Sequence, residues 1–176
     1  EEAGHTWQAY APDIPQLHVM NHITGEAMEE QRNVLVESAR ITRGKIEPLH
    51  ALDVAKVDAL FLPGGFGAAK NLSNWAIKGP EGTLLPELKT HIQQAWKLGK
   101  PMVALCMAPV VLGKALEGIP EAKLKLSVGT QSAASPYDIA GIHQGLESLG
   151  MASEEVNNPQ VSIDRKNKVV TGPCYM

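Results

Sequence analysis

A chain of 176 residues with 44% hydrophobic and 20% charged side chains can build one sizeable core, which excludes a disordered polar chain. Its net charge of -3 comes without a basic patch, which argues against nucleic acid as a partner, and no apolar run approaches the roughly 20 residues that span a bilayer. The two cysteines, Cys106 and Cys174, make no disulfide framework and fit a reducing compartment.

In chain order, Glu1-Glu2-Ala3-Gly4 reads as the end of a helix, and the missing starting methionine suggests an internal piece of a longer protein. A strand follows over 6–11. Gln16–His22 reads as a loop carrying His18 and His22, and a helix is expected over 29–42 with Arg32, Glu37 and Arg40 on it. Val57-Asp58-Ala59-Leu60-Phe61-Leu62 is a nearly continuous apolar run, expected as a central strand covered on both faces. Leu85, Leu88, Ile92 and Ala95 recur at helical spacing over 84–98, with Gly99 and Pro101 as stop signals. A strand over 101–106 leads into a helix over 107–117, and a further strand is expected over 125–129. Ser135-Pro136-Tyr137-Asp138 looks like the start of a helix over 137–149: serine as N-cap, proline at the first helical position, an acid at the third. Its stripe is Ile139, Ile142, Leu146 and Leu149, and Gly150 closes it. Strands over 160–164 and 168–171 complete the pattern. The alternation predicts an α/β fold: a flavodoxin-like, doubly wound, mostly parallel sheet in a single domain.

Two segments carry the chemistry. The run Leu60-Phe61-Leu62-Pro63-Gly64-Gly65-Phe66-Gly67 ends a strand in glycines, which let backbone N–H groups approach a ligand. Val103-Ala104-Leu105-Cys106-Met107-Ala108-Pro109 ends a strand in a cysteine and starts a helix. A thiol there sits near the positive end of the helix, so its pKa is expected below the usual value of about 8.5. In an open α/β sheet, ligands bind at the carboxyl ends of the strands, where both motifs fall. Cys106 is therefore the candidate nucleophile, and the N–H groups of Gly65 and Met107 are candidate oxyanion donors. The competing reading of Cys106 is a small buried apolar residue, and that of Gly64 and Gly65 only a tight turn.

Lys70 and Asn71 lie just beyond and could cap the next segment. Trp7, Trp75 and Trp96 are most simply core or interface residues, and Cys174 a structural one. No CxxC motif or Cys/His cluster with metal spacing is present, so no metal and no cofactor are expected.

Pro63-Gly64-Gly65-Phe66-Gly67-Ala68-Ala69-Lys70-Asn71, with the Cys106 segment, resembles the PfpI-type branch of the class I glutamine-amidotransferase-like superfamily. Ala11-Pro12-Asp13, Arg32-Asn33-Val34-Leu35, Ala39-Arg40-Ile41 and Asn167-Lys168-Val169-Val170-Thr171 with Pro173 narrow it to the ElbB-type family (enhancing lycopene biosynthesis, glyoxalase-like). The resemblance covers nearly the whole chain. It implies one such domain over 1–176, incomplete at both ends, and a homodimer located in the cytoplasm if bacterial or in the mitochondrion if eukaryotic. It also implies a glyoxalase-like enzyme with a small aldehyde substrate, converting glyoxal to glycolate without glutathione or metal. Gly64, Asn71 and Arg32 are the candidate substrate contacts, although a salt-bridged helix face is the plainer reading of Arg32. Many members of the superfamily place a histidine after the strand that follows the cysteine; here the stretch Leu126-Ser127-Val128-Gly129-Thr130-Gln131 has none. His143 reads as a flank residue of its helix, and His18 and His22 lie in a loop that could approach the site. A thiol sensor or scaffold that keeps the elbow is the alternative, and a glutaminase or peptidase ranks below both.

Overall fold

The computed structural model describes residues 3–173. The expectations for Cys174 and for Glu1-Glu2 lie outside the described residues. Contacts gather the chain into two compact units, Glu1–Asp53 and Val54–Met176.

The first unit contains β1 (Ala9–Ala11), β2 (Val19–Met20), β3 (Ala27–Met28), α1 (Val34–Thr42) and β4 (Ile46–Pro48). β1 and β4 pair in parallel, with Ala9 opposite Ile46. β2 and β3 form an antiparallel ribbon, so Gln16–His22 is not the plain loop expected. The Asn21 side chain closes its turn by accepting the Ile23 N–H at 2.9 Å. α1 begins five residues later than its expected start at 29. Asn33 caps it by accepting the Val36 N–H at 3.1 Å, and its own amide donates to Asp13 at 2.7 Å. The Pro15–Asn33 bridge and the Val34 N–H to Ile14 carbonyl bond hold the preceding chain extended. β4 was not expected.

The second unit contains β5 (Leu60–Leu62), a π-helical turn over Ala68–Leu72, α2 (Trp75–Lys78), α3 (Pro86–Lys97), β6 (Met102–Leu105) and α4 (Ala108–Leu116). It continues with β7 (Lys125–Leu126), α5 (Ile139–Ser148), β8 (Ala152–Ser153), β9 (Ser162–Asp164) and β10 (Val169–Gly172). The main sheet has the order β5-β6-β10-β9. β5 and β10 run parallel to β6, β9 runs antiparallel to β10, and β7 and β8 form a separate parallel pair. The α/β class with mostly parallel pairing is thus the one that the alternation of elements predicts.

Register explains which face is core. Leu60, Met102, Val169 and Asp164 form one row across the sheet, with Met102 and Val169 fully buried. Phe61, Val103, Val170 and Ile163 form the next row and point the other way. Here Phe61 is 61% exposed, so the expectation of a central β5 covered on both faces is corrected: among the described residues β5 ends the sheet. α4 is apolar apart from Lys114 and almost wholly buried, as a central helix must be. Leu88, Ile92 and Ala95 of α3 are buried as their spacing predicts.

Two more boundaries differ. The strand expected over 125–129 stops at Leu126, because the Ser127 N–H turns to the Thr171 hydroxyl at 2.8 Å instead of a ladder carbonyl. The N-cap of α5 is Asp138, which accepts the Gly141 N–H at 2.9 Å, and not Ser135. The Ser135 hydroxyl accepts the Tyr137 N–H at 3.1 Å and closes a turn upstream, leaving Pro136 outside the helix.

Candidate active site

The site grows from the junction of β6 and α4. β6 ends at Leu105 and α4 starts at Ala108, so Cys106 and Met107 make the whole turn. Cys106 takes φ 57°, in the left-handed region, where an L-residue with a side chain costs roughly 1–2 kcal/mol. Its N–H donates to the Gly172 carbonyl at 2.9 Å, which ties the strained residue to β10. Strain of this kind persists only where the surroundings over-determine it, and it gathers at functional sites. A strand-to-helix turn that aims a nucleophile off the sheet edge has the same backbone form.

The glycine turn after β5 packs against this junction. Gly64 has φ 91° and Gly65 φ 78°. A Cβ on Gly64 would collide with the Leu105 carbonyl oxygen and stand 2.9 Å from the Cys106 Cβ. Glycine at 64 is therefore required twice over, by dihedral and by space. Among the described residues the N–H groups of Gly65 and Met107 meet no acceptor, whereas that of Cys106 is committed.

The expectation that Lys70 and Asn71 cap the next segment is corrected: both lie inside the π-helical turn, and Asn74 precedes α2. The Lys70 ammonium stands 5.4 Å over the Phe66 ring, and Phe66 meets Tyr137 at 5.3 Å between centroids and 55° between planes. Behind this aromatic pair opens a cavity of about 510 Å³, lined by Phe66, Trp75, Ile77, Met107, Tyr137 and Ile142 among others. Trp75 is a core residue at 7% exposure, while Trp7 is exposed.

Sequence reasoning underrated His143. It is buried, not a flank residue. Its Nε2 meets the Gly129 carbonyl at 3.1 Å and its Nδ1 meets the Ser153 hydroxyl. Because a carbonyl only accepts, Nε2 carries the hydrogen there. The signal was available: His143 is four residues after Ile139 and three before Leu146, on the buried stripe. It braces the same loop that lacks the histidine found in many members of the superfamily. Glu155 holds the next part of that loop, accepting from the Thr130 hydroxyl at 2.7 Å and the Gln131 N–H at 3.0 Å. These bonds, the hydroxyl first, hold its carboxyl below the usual carboxylate range.

Arg32, Glu37 and Arg40 belong to the first unit. Arg32 pairs with Glu30 at 2.7 Å and lies 3.7 Å from Glu37, the salt-bridged arrangement expected as its plainer reading. His18 and His22 are exposed on the ribbon of that unit.

No family model matches the chain. It is 41% identical over 171 residues to the human mitochondrial glutamine amidotransferase-like class 1 domain-containing protein 3, covering 96% of this chain and 62% of that protein. It is 40% identical to the rat mitochondrial ES1 protein homolog, covering 95% of this chain and 62% of the relative. The chain thus spans about 62% of the length of these curated relatives. A crystal structure of an isoprenoid biosynthesis protein with an amidotransferase-like domain from Ehrlichia chaffeensis superposes with TM-score 0.81 at 30% identity, over 96% of this chain and 72% of that one. The chain belongs to the class I glutamine-amidotransferase-like family. The superfamily expected from the glycine turn and the Cys106 segment is thereby shown. A ThiJ/PfpI domain protein from Brachyspira murdochii shares the amidotransferase-like fold at TM-score 0.52 and 12% identity, over 98% of this chain and 73% of that one.

Proposed function

We propose that the protein is a glyoxalase-like enzyme that converts small 2-oxoaldehydes to 2-hydroxy acids with Cys106 as nucleophile, without glutathione or metal. One observation carries this reading. Cys106 is held at φ 57° between β6 and α4, with the bare backbone of Gly64 packed against it.

In this mechanism the Cys106 thiolate adds to the aldehyde carbon and forms a hemithioacetal alkoxide. The N–H groups of Gly65 and Met107 donate to that oxygen. A base moves the C–H proton through an enediol to the neighbouring carbon. The first carbon becomes a thioester as the second carbonyl becomes an alcohol, so no external oxidant is needed. Water then releases the 2-hydroxy acid and restores the thiol. Gly64 keeps the approach open, and Asn71, on the turn after the glycines, is the candidate for holding the substrate's second oxygen. The salt-bridged Arg32 is assigned no step. The mitochondrial relatives support a mitochondrial setting if the protein is eukaryotic, and the cytoplasm remains the expectation if it is bacterial.

The test is conversion of glyoxal to glycolate by the full-length protein and by Cys106→Ala. Loss of turnover in the variant is the expected result, and full retention would sink the reading.

A second reading is favoured by a separate observation. The loop after β7 carries no histidine, and His143 commits both ring nitrogens to Gly129 and Ser153. A protein that retained the elbow without a histidine base would serve as a thiol sensor. Stoichiometric oxidation of Cys106 by dilute peroxide with no aldehyde turnover would favour that reading.

A further inference from the structure

The cavity beside the elbow is far larger than glyoxal needs. It is an open cleft rather than an enclosed chamber, and its volume of about 510 Å³ leaves room for a ring. Its lining includes Phe66, next to Gly65, and Met107, next to Cys106, while Cys106 itself is not part of the lining. Its walls are apolar or aromatic: Trp75 and Ile77 from α2, Ile142 from α5, and the Phe66–Tyr137 pair. Asp138 is the one charged residue among the described residues of the lining, and its carboxylate caps α5 through Gly141. A neutral ring entering there would meet aromatic faces. Phe66 is 45% exposed and Ile77 58% exposed, so among the described residues the mouth presents apolar surface to water.

We infer that this cavity holds an uncharged, aryl-sized substituent on the molecule that reacts at Cys106. The favoured substrate class is then a 2-oxoaldehyde bearing a ring in place of hydrogen or methyl. This rests on the aldehyde-converting reading and deepens it. Phenylglyoxal would add water overall to give mandelate: its aldehyde carbon is oxidised to the carboxylate while its ketone carbon is reduced to the alcohol.

The experiment has two arms on the full-length protein. In the first, product formation is followed chromatographically for glyoxal, methylglyoxal and phenylglyoxal. The expected kcat/KM for phenylglyoxal exceeds that for methylglyoxal by about tenfold or more, the order expected from burying a ring. Ile77→Asp, at an exposed position on the cavity wall, should cut the phenylglyoxal-to-methylglyoxal ratio about tenfold. In the second arm, mandelate and lactate are titrated into Cys106→Ala and the tryptophan fluorescence, to which Trp75 of the cleft wall contributes, is followed. Mandelate should bind about tenfold more tightly. Turnover of glyoxal with equal kcat/KM for the other two and equal binding of the two acids overturns the cavity inference and leaves the enzyme reading standing. Tighter mandelate binding with no turnover of any aldehyde supports the cavity inference and removes the enzyme reading.

Discussion

Gly64 leaves no room for a side chain beside Cys106: a methyl group added to Gly64 would stand 2.9 Å from the Cys106 Cβ and run into the Leu105 carbonyl. The glycine turn and the cysteine turn are therefore one packed unit, although 42 positions separate them in sequence (106 less 64). Gly64→Ala should cost about 2–5 kcal/mol, from an unfavourable left-handed alanine at φ 91° and from overpacking against rigid backbone. Urea unfolding would show it as a lower midpoint with an unchanged slope. A stability within 0.5 kcal/mol of the parent, on the order of ordinary surface changes, would mean that the two turns do not press on each other.

The strain at Cys106 makes its own prediction. Replacing a residue by glycine rather than alanine ordinarily costs stability, by roughly 0.5–1 kcal/mol in regular structure. At φ 57° the order should reverse, because only glycine occupies that region without penalty. Cys106→Gly should unfold at a denaturant concentration equal to or above that of Cys106→Ala. A clearly less stable glycine variant would show that Cys106 is not strained.

The sequence spoke clearly where a local signal and a long-range contact agreed. The runs ending at Leu62 and Leu105 stop in Gly64 and Cys106 because the chain must turn sharply there, and the same residues face each other in the fold. α3 was legible because Leu88, Ile92 and Ala95 keep helical spacing over three turns. β4 was not, since Ile46-Glu47-Pro48 is too short for any pattern and exists through its pairing with β1. The same holds for the ribbon of β2 and β3, two residues each. For α5 the sequence pattern puts the start three residues early, with Ser135 as the N-cap and Asp138 as an acid in the first turn, whereas Asp138 itself caps the helix. His143 was misplaced because a histidine in an apolar stripe looks like an interruption until its partners, Gly129 and Ser153, are brought in by the fold.

Acid should destabilise the second unit through Asp164. This buried carboxylate accepts from the Lys125 N–H at 2.9 Å, the Asn167 N–H at 3.1 Å and the Asn167 side-chain amide at 2.7 Å. Burial alone would raise its pKa, but these donors outweigh burial and hold it below the usual carboxylate range. A depressed folded-state value means that the stabilisation is present above the unfolded value of about 3.9 and is lost as pH falls through the folded one. Glu154, held down by the Ser162 hydroxyl and then by Lys125, acts in the same direction over a neighbouring window. Asp164→Asn should lose about 1–3 kcal/mol at pH 7, because its amide would meet donors with a donor. Its stability should also fall less steeply than the parent's below about pH 4. Parallel curves over that range would mean that Asp164 contributes nothing to the acid limb.

His91 offers the opposite kind of change, one that should stabilise. It lies on α3 beside the buried Leu88, Ile92 and Ala95, and both its ring nitrogens are buried with no hydrogen-bond partner among the described residues. A buried polar atom without a partner gives up its water and gains nothing, at a cost of about 1–3 kcal/mol. Leucine fills a similar volume, has no polar atom, and is the better helix former by a few tenths of a kcal/mol. His91→Leu should therefore raise stability by about 1–2 kcal/mol, read as a higher urea midpoint at pH 7. A loss of stability instead would mean that the ring meets an ordered water or another polar group, and that α3 keeps its histidine for that contact.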